Sequence, residues 1–110
     1  MASRYWRVLD VRKLTASLEQ PRDQYIDAGA FAHLEVDVRV VVAGTAGNIK
    51  LQHAAVNEPD AFRDLATMSW PLTGAGSFLF TDHFLRYIRW VTDAGLTGSP
   101  QVIIDIVGKE

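Results

Sequence analysis

The polarity of the chain alternates most regularly between residues 34 and 42. Apolar side chains occupy every second position there, and polar ones stand between them: Leu34, Val36, Val38, Val40 and Val42 against Glu35, Asp37 and Arg39. A period of two is typical of a β-strand that buries one face. NIKLQHA, residues 48–54, repeats the pattern, and the glycine-rich GTAG of residues 44–47 separates the two runs. The pattern predicts two strands joined as a hairpin by a tight turn.

Further extended segments follow along the chain, and none has a helical period of ten residues or more. They are residues 4–14, 24–32, 62–72, 77–81, 83–92 and 101–108. About eight strands with short turns predict an all-β fold, a two-layer antiparallel β-sandwich of jelly-roll or Greek-key type. We expect one domain over residues 1–110, with residues 1–23 as a docking arm or an edge strand. Apolar residues on both faces of QVIIDIVG, residues 101–108, predict a last strand covered on both sides.

The stretch HFLRYIRWV, residues 83–91, mixes arginines with aromatic residues. Alternation places Ile88 and Trp90 in the core. Tyr87 and the arginine stems then cover the outer sheet surface, with the guanidinium groups in water. Arg86, Tyr87 and Arg89 are at the same time candidates for a surface that recognises a partner, because tyrosine and arginine combine apolar area with hydrogen bonding.

The amino-acid composition argues against several classes of function. The chain has 110 residues, 48% of them hydrophobic and 22% charged, which is typical of a folded globular protein. The net charge of −2 argues against nucleic acid as a main partner. The absence of cysteine excludes disulfides, thiolate nucleophiles and cysteine-based zinc sites. No signal peptide or long apolar run is visible, so a soluble protein made in the cytoplasm, without a membrane partner, is expected.

The sequence contains no recognisable catalytic or metal-binding motif. None of the three histidines is part of an H-x-H or H-E-x-x-H arrangement, and His53 continues the apolar face of its strand. Glu35 and Asp37 are interpreted as side chains of a solvated sheet face that form ion pairs with Arg39 and Lys50. Calcium in the oxygen-rich NEPD loop, residues 57–60, stays open. We therefore predict no catalytic residue, no metal and no cofactor, and a protein that is not an enzyme.

The sequence also resembles a known group of proteins. The chain ends with RYIRW, a Gly/Pro loop and the final SPQVIIDIVGKE. This part resembles the C-terminal half of small β-sandwich proteins from tailed-phage particles and phage-derived gene clusters. IDAGAFAHLEVDVRVVVAG and NIKLQHAAVNEPDAFRDLA extend the resemblance to residues 24–110. The RYIR run is also similar to one in discoidin-like lectin sandwiches. The first resemblance implies a virion component, such as a capsid decoration, adaptor or tail-associated protein, which is homo-oligomeric and binds other capsid or tail subunits.

The candidate contact residues combine aromatic and arginine side chains on predicted strands. They are Trp6, Arg7, Trp70, Arg86, Tyr87 and Arg89. An alternative from another class is a carbohydrate-binding module, because tryptophan rings stack on sugars. Trp70 is the ring most expected to be exposed, since it precedes Pro71 near a turn.

Overall fold

The computed structural model describes residues 3–69 and 75–110. Eight β-strands form the framework: β1 (Ser3–Lys13), β2 (Ile26–Asp27), β3 (His33–Val42), β4 (Asn48–Ala54), β5 (Arg63–Ser69), β6 (Ala75–Thr81), β7 (Tyr87–Thr92) and β8 (Gln101–Lys109). Two single turns of 3-10 helix lie at Arg22–Gln24 and Pro59–Ala61. Within these residues, no helix has the length and apolar character that crossing a bilayer requires.

The strands form two antiparallel sheets of four. Sheet I has the order β1-β8-β3-β6, and sheet II has the order β2-β7-β4-β5. The chain can be described as one long hairpin that has its tip between β4 and β5 and is rolled up. The paired strands of this hairpin are β1·β8, β2·β7, β3·β6 and β4·β5. This is the jelly-roll arrangement, in which β8·β3 and β7·β4 complete the two sheets. The predicted two-layer sandwich of about eight strands is confirmed.

The predicted hairpin between β3 and β4 is wrong, although both strands form where expected. β3 lies in sheet I between β8 and β6, whereas β4 lies in sheet II between β7 and β5. Residues 44–47 therefore cross from one layer to the other. Alternation shows which face of a strand is buried and says nothing about its neighbours, so two patterned runs beside a glycine turn are compatible with either arrangement.

The core lies between the sheets and is filled from both. Its buried members include Leu34, Val36 and Val38 of β3, Ile49 and Leu51 of β4, Ile88 and Trp90 of β7, and Val102, Ile104 and Ile106 of β8. The predicted core positions Ile88 and Trp90 are confirmed at 1% and 2% exposure. The prediction that β8 is covered on both sides holds in part, because on the outer face Ile103 is 8% exposed whereas Asp105 and Val107 are half-buried.

The N-terminal residues are part of the sandwich. β1 is an edge strand of sheet I that pairs with β8 along its length, with shifts of register between Arg7 and Leu9 and between Leu9 and Arg12. Leu14, fully buried, continues into the core. The next residues run beside β7, where the Gln20 amide donates to the Trp90 carbonyl at 3.0 Å. Removing residues 1–20 would thus remove a strand together with its core side chains.

Candidate interaction surface

The structure distributes the candidate contact residues over separate places. Arg7 is exposed on sheet I, Arg86 and Tyr87 lie at the start of β7, and Trp70 lies outside the described residues. Trp6 is half-buried and faces the core, packed edge-on against Phe31 with ring centroids 5.6 Å apart. A Cβ at Gly108 would lie 2.8 Å from Cγ of Phe31, so only glycine there leaves room for this ring pair.

Arg89 is 7% exposed and is held within sheet II. Its Nε donates to Oε1 of Gln52 at 2.9 Å, and its Nη1 donates to the Tyr25 hydroxyl at 2.9 Å. The guanidinium carbon lies 4.3 Å from the ring centroid of Phe62. The prediction that this guanidinium reaches water is wrong, because Tyr25 and Phe62, which flank β2 and β5, cover it. Arg89 holds these rings on the sheet, and its side chain is covered by them.

The outer face of sheet I carries a bonded cluster around Asp105. Its Oδ1 accepts hydrogen bonds from the Tyr5 hydroxyl at 2.6 Å and from Nε of Arg7 at 2.9 Å. The hydrogen bond from Arg7 is the main reason that the pKa of Asp105 lies below its ordinary value. The hydrogen bond that Tyr5 donates to Asp105 raises the pKa of Tyr5. This cluster joins β1 to β8 and fixes an exposed tyrosine, 54% accessible, in one orientation.

Exposed apolar side chains concentrate on the same sheet. Of the six large apolar side chains exposed in the described chain, four belong to β1 and β3: Tyr5, Val11, Val41 and Val42. Val11 and Val41 are the extra residues where β1 and β3 bulge against β8, and Val42 is opposite Gln101. The outer face of sheet I therefore combines apolar area with charges.

The charges along β3 differ from their predicted pairing. Glu35 pairs with Lys109 of β8 at 3.4 Å, and Lys50 pairs with Asp64 in sheet II at 3.2 Å. The predicted contact between the β3 acids and Lys50 is wrong because the strands belong to different layers. Asp37 and Arg39 are exposed, and neither forms an ion pair within 4.0 Å in the described residues.

A cleft beside β2 contains Arg86. Its volume is about 530 Å³, and its lining consists of Arg4, Asp27, Gly29, Ala30, Phe31 and Arg86. Arg86 forms a bidentate pair with Asp27, with Nε–Oδ1 at 3.0 Å and Nη2–Oδ2 at 2.8 Å. These hydrogen bonds, together with one from the Gly29 amide, hold the pKa of Asp27 below its ordinary value. The cleft thus presents a fixed, nearly neutral pair of planar polar groups beside an aromatic ring.

The histidines and the NEPD loop do not assemble into a site in the described residues. Nδ1 of His53 accepts a hydrogen bond from the Leu85 amide at 3.1 Å, and burial lowers the pKa of this histidine. This matches the predicted core-edge role. His83 is exposed beside Asp82, and Arg22 donates to the carbonyl of Asn57. No group of three or more His, Asp or Glu side chains that could hold a metal occurs in residues 3–69 and 75–110.

The Asp105 cluster predicts a pH-dependent contribution to stability. Because the pKa of Asp105 is lowered in the folded chain, its contribution is complete above the unfolded value of about 3.9 and is lost as the pH falls through the folded value. We expect Asp105→Asn to reduce the free energy of unfolding at pH 7 by less than about 1 kcal/mol, since Arg7 is partly exposed. Urea titrations at pH 7 and pH 2.5 test this, and a deficit that stays the same at pH 2.5 would contradict it.

Comparison with known proteins adds one structural neighbour. A scan against protein-family models and a search of curated proteins both find no match. Among solved structures, the chain is similar to the SPBc2 prophage-derived protein YomS, with a TM-score of 0.60 and 13% sequence identity. The similarity covers 97% of this chain and 92% of that one. At this identity the comparison shows a shared fold.

Proposed function

We propose that the protein is a non-enzymatic structural component of a phage or phage-like particle, and that it binds other particle proteins through the outer face of sheet I. The fold shared with a prophage-derived protein supports the phage-related origin. It agrees with the resemblance of residues 24–110 to small sandwich proteins of tailed-phage particles. The concentration of exposed apolar side chains on β1 and β3 is the observation that carries the binding role.

The chemistry of that face suits repeated contacts of modest strength. Valines at the bulged ends of β1 and β3 supply apolar area, and Arg7, Asp37 and Arg39 supply charges that fix orientation. In a particle, many copies present the same face at once. Each contact then needs little affinity, since the second and later contacts form at a high effective concentration.

Particle fractionation tests this function. Native host cells are treated with a DNA-damaging agent to release phage or phage-like particles, which are separated on a density gradient and probed with an antibody raised against the purified protein. We expect the protein to band with the particles. The variant V41S/V42S should band much less than the wild type, because it loses apolar contact area without changing the core.

The matched control is Val56→Ser, which alters an exposed valine, 52% accessible, in the loop between β4 and β5. It should band with the particles as the wild type does. Recovery of the wild-type protein only in fractions without particles would contradict the proposed function. Equal loss in the control and in V41S/V42S would contradict the assignment of the outer face of sheet I.

Carbohydrate binding is a second candidate, and the cleft beside β2 favours it. Phe31 offers a ring, and the Asp27–Arg86 pair offers donors and acceptors at fixed positions, as sugar hydroxyls require. Specific binding of the purified protein to an array of glycans, lost in Phe31→Ala, would favour this function over the particle role.

A further inference from the structure

We infer that the outer face of sheet I binds a second copy of this chain about a two-fold axis, with Asp37 of each copy facing Arg39 of the other. This inference deepens the proposed function, because it names one partner of that face. It starts from β3, where Asp37 and Arg39 stand two residues apart on the same exposed side. At the rise of a strand, about 3.3 Å per residue, their Cα atoms are about 6.6 Å apart.

Asp37 is in an unfavourable position within one copy. It lies directly opposite Asp105 of β8, and like charges opposite each other destabilise a sheet. The Asp105 carboxylate already accepts hydrogen bonds from Arg7 and Tyr5, so these groups are engaged elsewhere. On the other side of β3, the sequence of β6 contains no charged residue. Within the described residues no Lys or Arg forms an ion pair with Asp37, so its carboxylate is available to a cation of a second copy.

Arg39 supplies that cation when two faces meet. It is exposed, and it lies level with Ile103 of β8, which is 8% exposed, so an apolar side chain adjoins it. The two-fold axis lies between the two faces, perpendicular to the strands, and passes beside Val38. Rotation about it places Asp37 of one copy opposite Arg39 of the other. Each copy then contributes one carboxylate and one guanidinium, and two equivalent ion pairs form, as an isologous interface requires.

The register of β1 fits the same axis. Arg7 is level with Asp105 and Asp37, whereas the bulge that contains Asp10 and Val11 is opposite Ile103 and so level with Arg39. The axis also brings Arg7 of one copy opposite Asp10 of the other, beside the 3.9 Å contact that these two side chains form within each copy. Opposite charges thus meet on β1 and on β3. Charge complementarity of the face with itself selects a second copy over an unrelated partner.

Charge reversal with complementation tests the inference. The purified protein is followed by sedimentation equilibrium over a range of concentrations, with folding of each variant checked by circular dichroism. We expect a dimer whose dissociation constant rises at least about tenfold in D37R and in R39D, because like charges then face each other. An equimolar mixture of D37R and R39D should restore association, and so should the double variant D37R/R39D.

The control variant is Lys50→Glu, which reverses a half-buried charge on sheet II and should leave the dissociation constant unchanged. A wild-type chain that stays monomeric, single reversals without effect, or a mixture that fails to reassociate would each overturn the inference. These results are separate from the particle test. A monomer that bands with particles would leave the proposed function standing, whereas a dimer found only outside particles would contradict the function and leave the interface standing.

Discussion

Replacing Gly47 by alanine is expected to reduce the free energy of unfolding by about 3 kcal/mol or more, a large share of the about 5–15 kcal/mol that a domain has. Gly47 has φ of +93°, a region that L side chains rarely adopt. A Cβ there would lie 2.4 Å from Cα of Leu96, and the obstacle is backbone that cannot turn aside. Urea unfolding followed by circular dichroism measures the loss.

Gly95→Ala is the matched control in the loop that Gly47 contacts. Its added Cβ would be 3.7 Å from Oδ1 of Asp93, which is an ordinary contact distance. We expect this variant to stay within about 0.5 kcal/mol of the wild type. If Gly47→Ala were equally mild, the close approach between residues 44–47 and the β7–β8 loop would be contradicted.

Replacing Trp90 by alanine is expected to cost about 3–5 kcal/mol. The side chain is 2% exposed at the centre of the core, and its Nε1 donates to the Val8 carbonyl at 3.1 Å, which ties β7 to β1 across the two layers. Alanine removes the ring and leaves a cavity between the sheets. It also leaves the Val8 carbonyl without this donor. Thermal and urea unfolding should both show the loss.

Trp90→Phe separates the two contributions. Phenylalanine retains most of the apolar volume and loses the N–H donor, so we expect a smaller loss of about 1–2 kcal/mol. Val56→Ala, at a site 52% exposed, should change the free energy of unfolding by less than about 0.5 kcal/mol. Loss of the same size in Trp90→Ala and Val56→Ala would contradict the central position of Trp90 in the core.

The alternation along β3 and β4 predicted both strands and their buried faces. Leu34, Val36 and Val38 face the core as expected, and so do Ile49 and Leu51. The same pattern led to a hairpin that does not exist, because each strand pairs with others far along the chain. The glycines between them were predicted to form the tight turn of that hairpin, whereas residues 44–47 connect the two sheets. Glycine is needed at position 47 because the chain there approaches Leu96, which no local pattern reveals.

The candidate surface was predictable in part. Alternation placed Asp37 and Arg39 on the outer face of β3, where the structure has them exposed. The bonding of Arg7 to Asp105 joins residues 98 positions apart, and that of Arg86 to Asp27 joins residues 59 apart. Strand periodicity carries no information on such pairs. Arg89 shows the opposite error, since its place on the outer side of the strand did not reveal that Tyr25 and Phe62 cover it.

The sequence by itself determined that the chain is built of strands and which side chains form the core face of β3 and β4, except that Val42 is exposed, because both follow from polarity at a period of two. Only the tertiary structure decided which strands are neighbours, which bulges expose Val11 and Val41, and which arginine meets water. The reason is that backbone pairing uses the same amide and carbonyl groups at every residue. Neighbours are therefore selected by the fit of the whole core and not by any short segment.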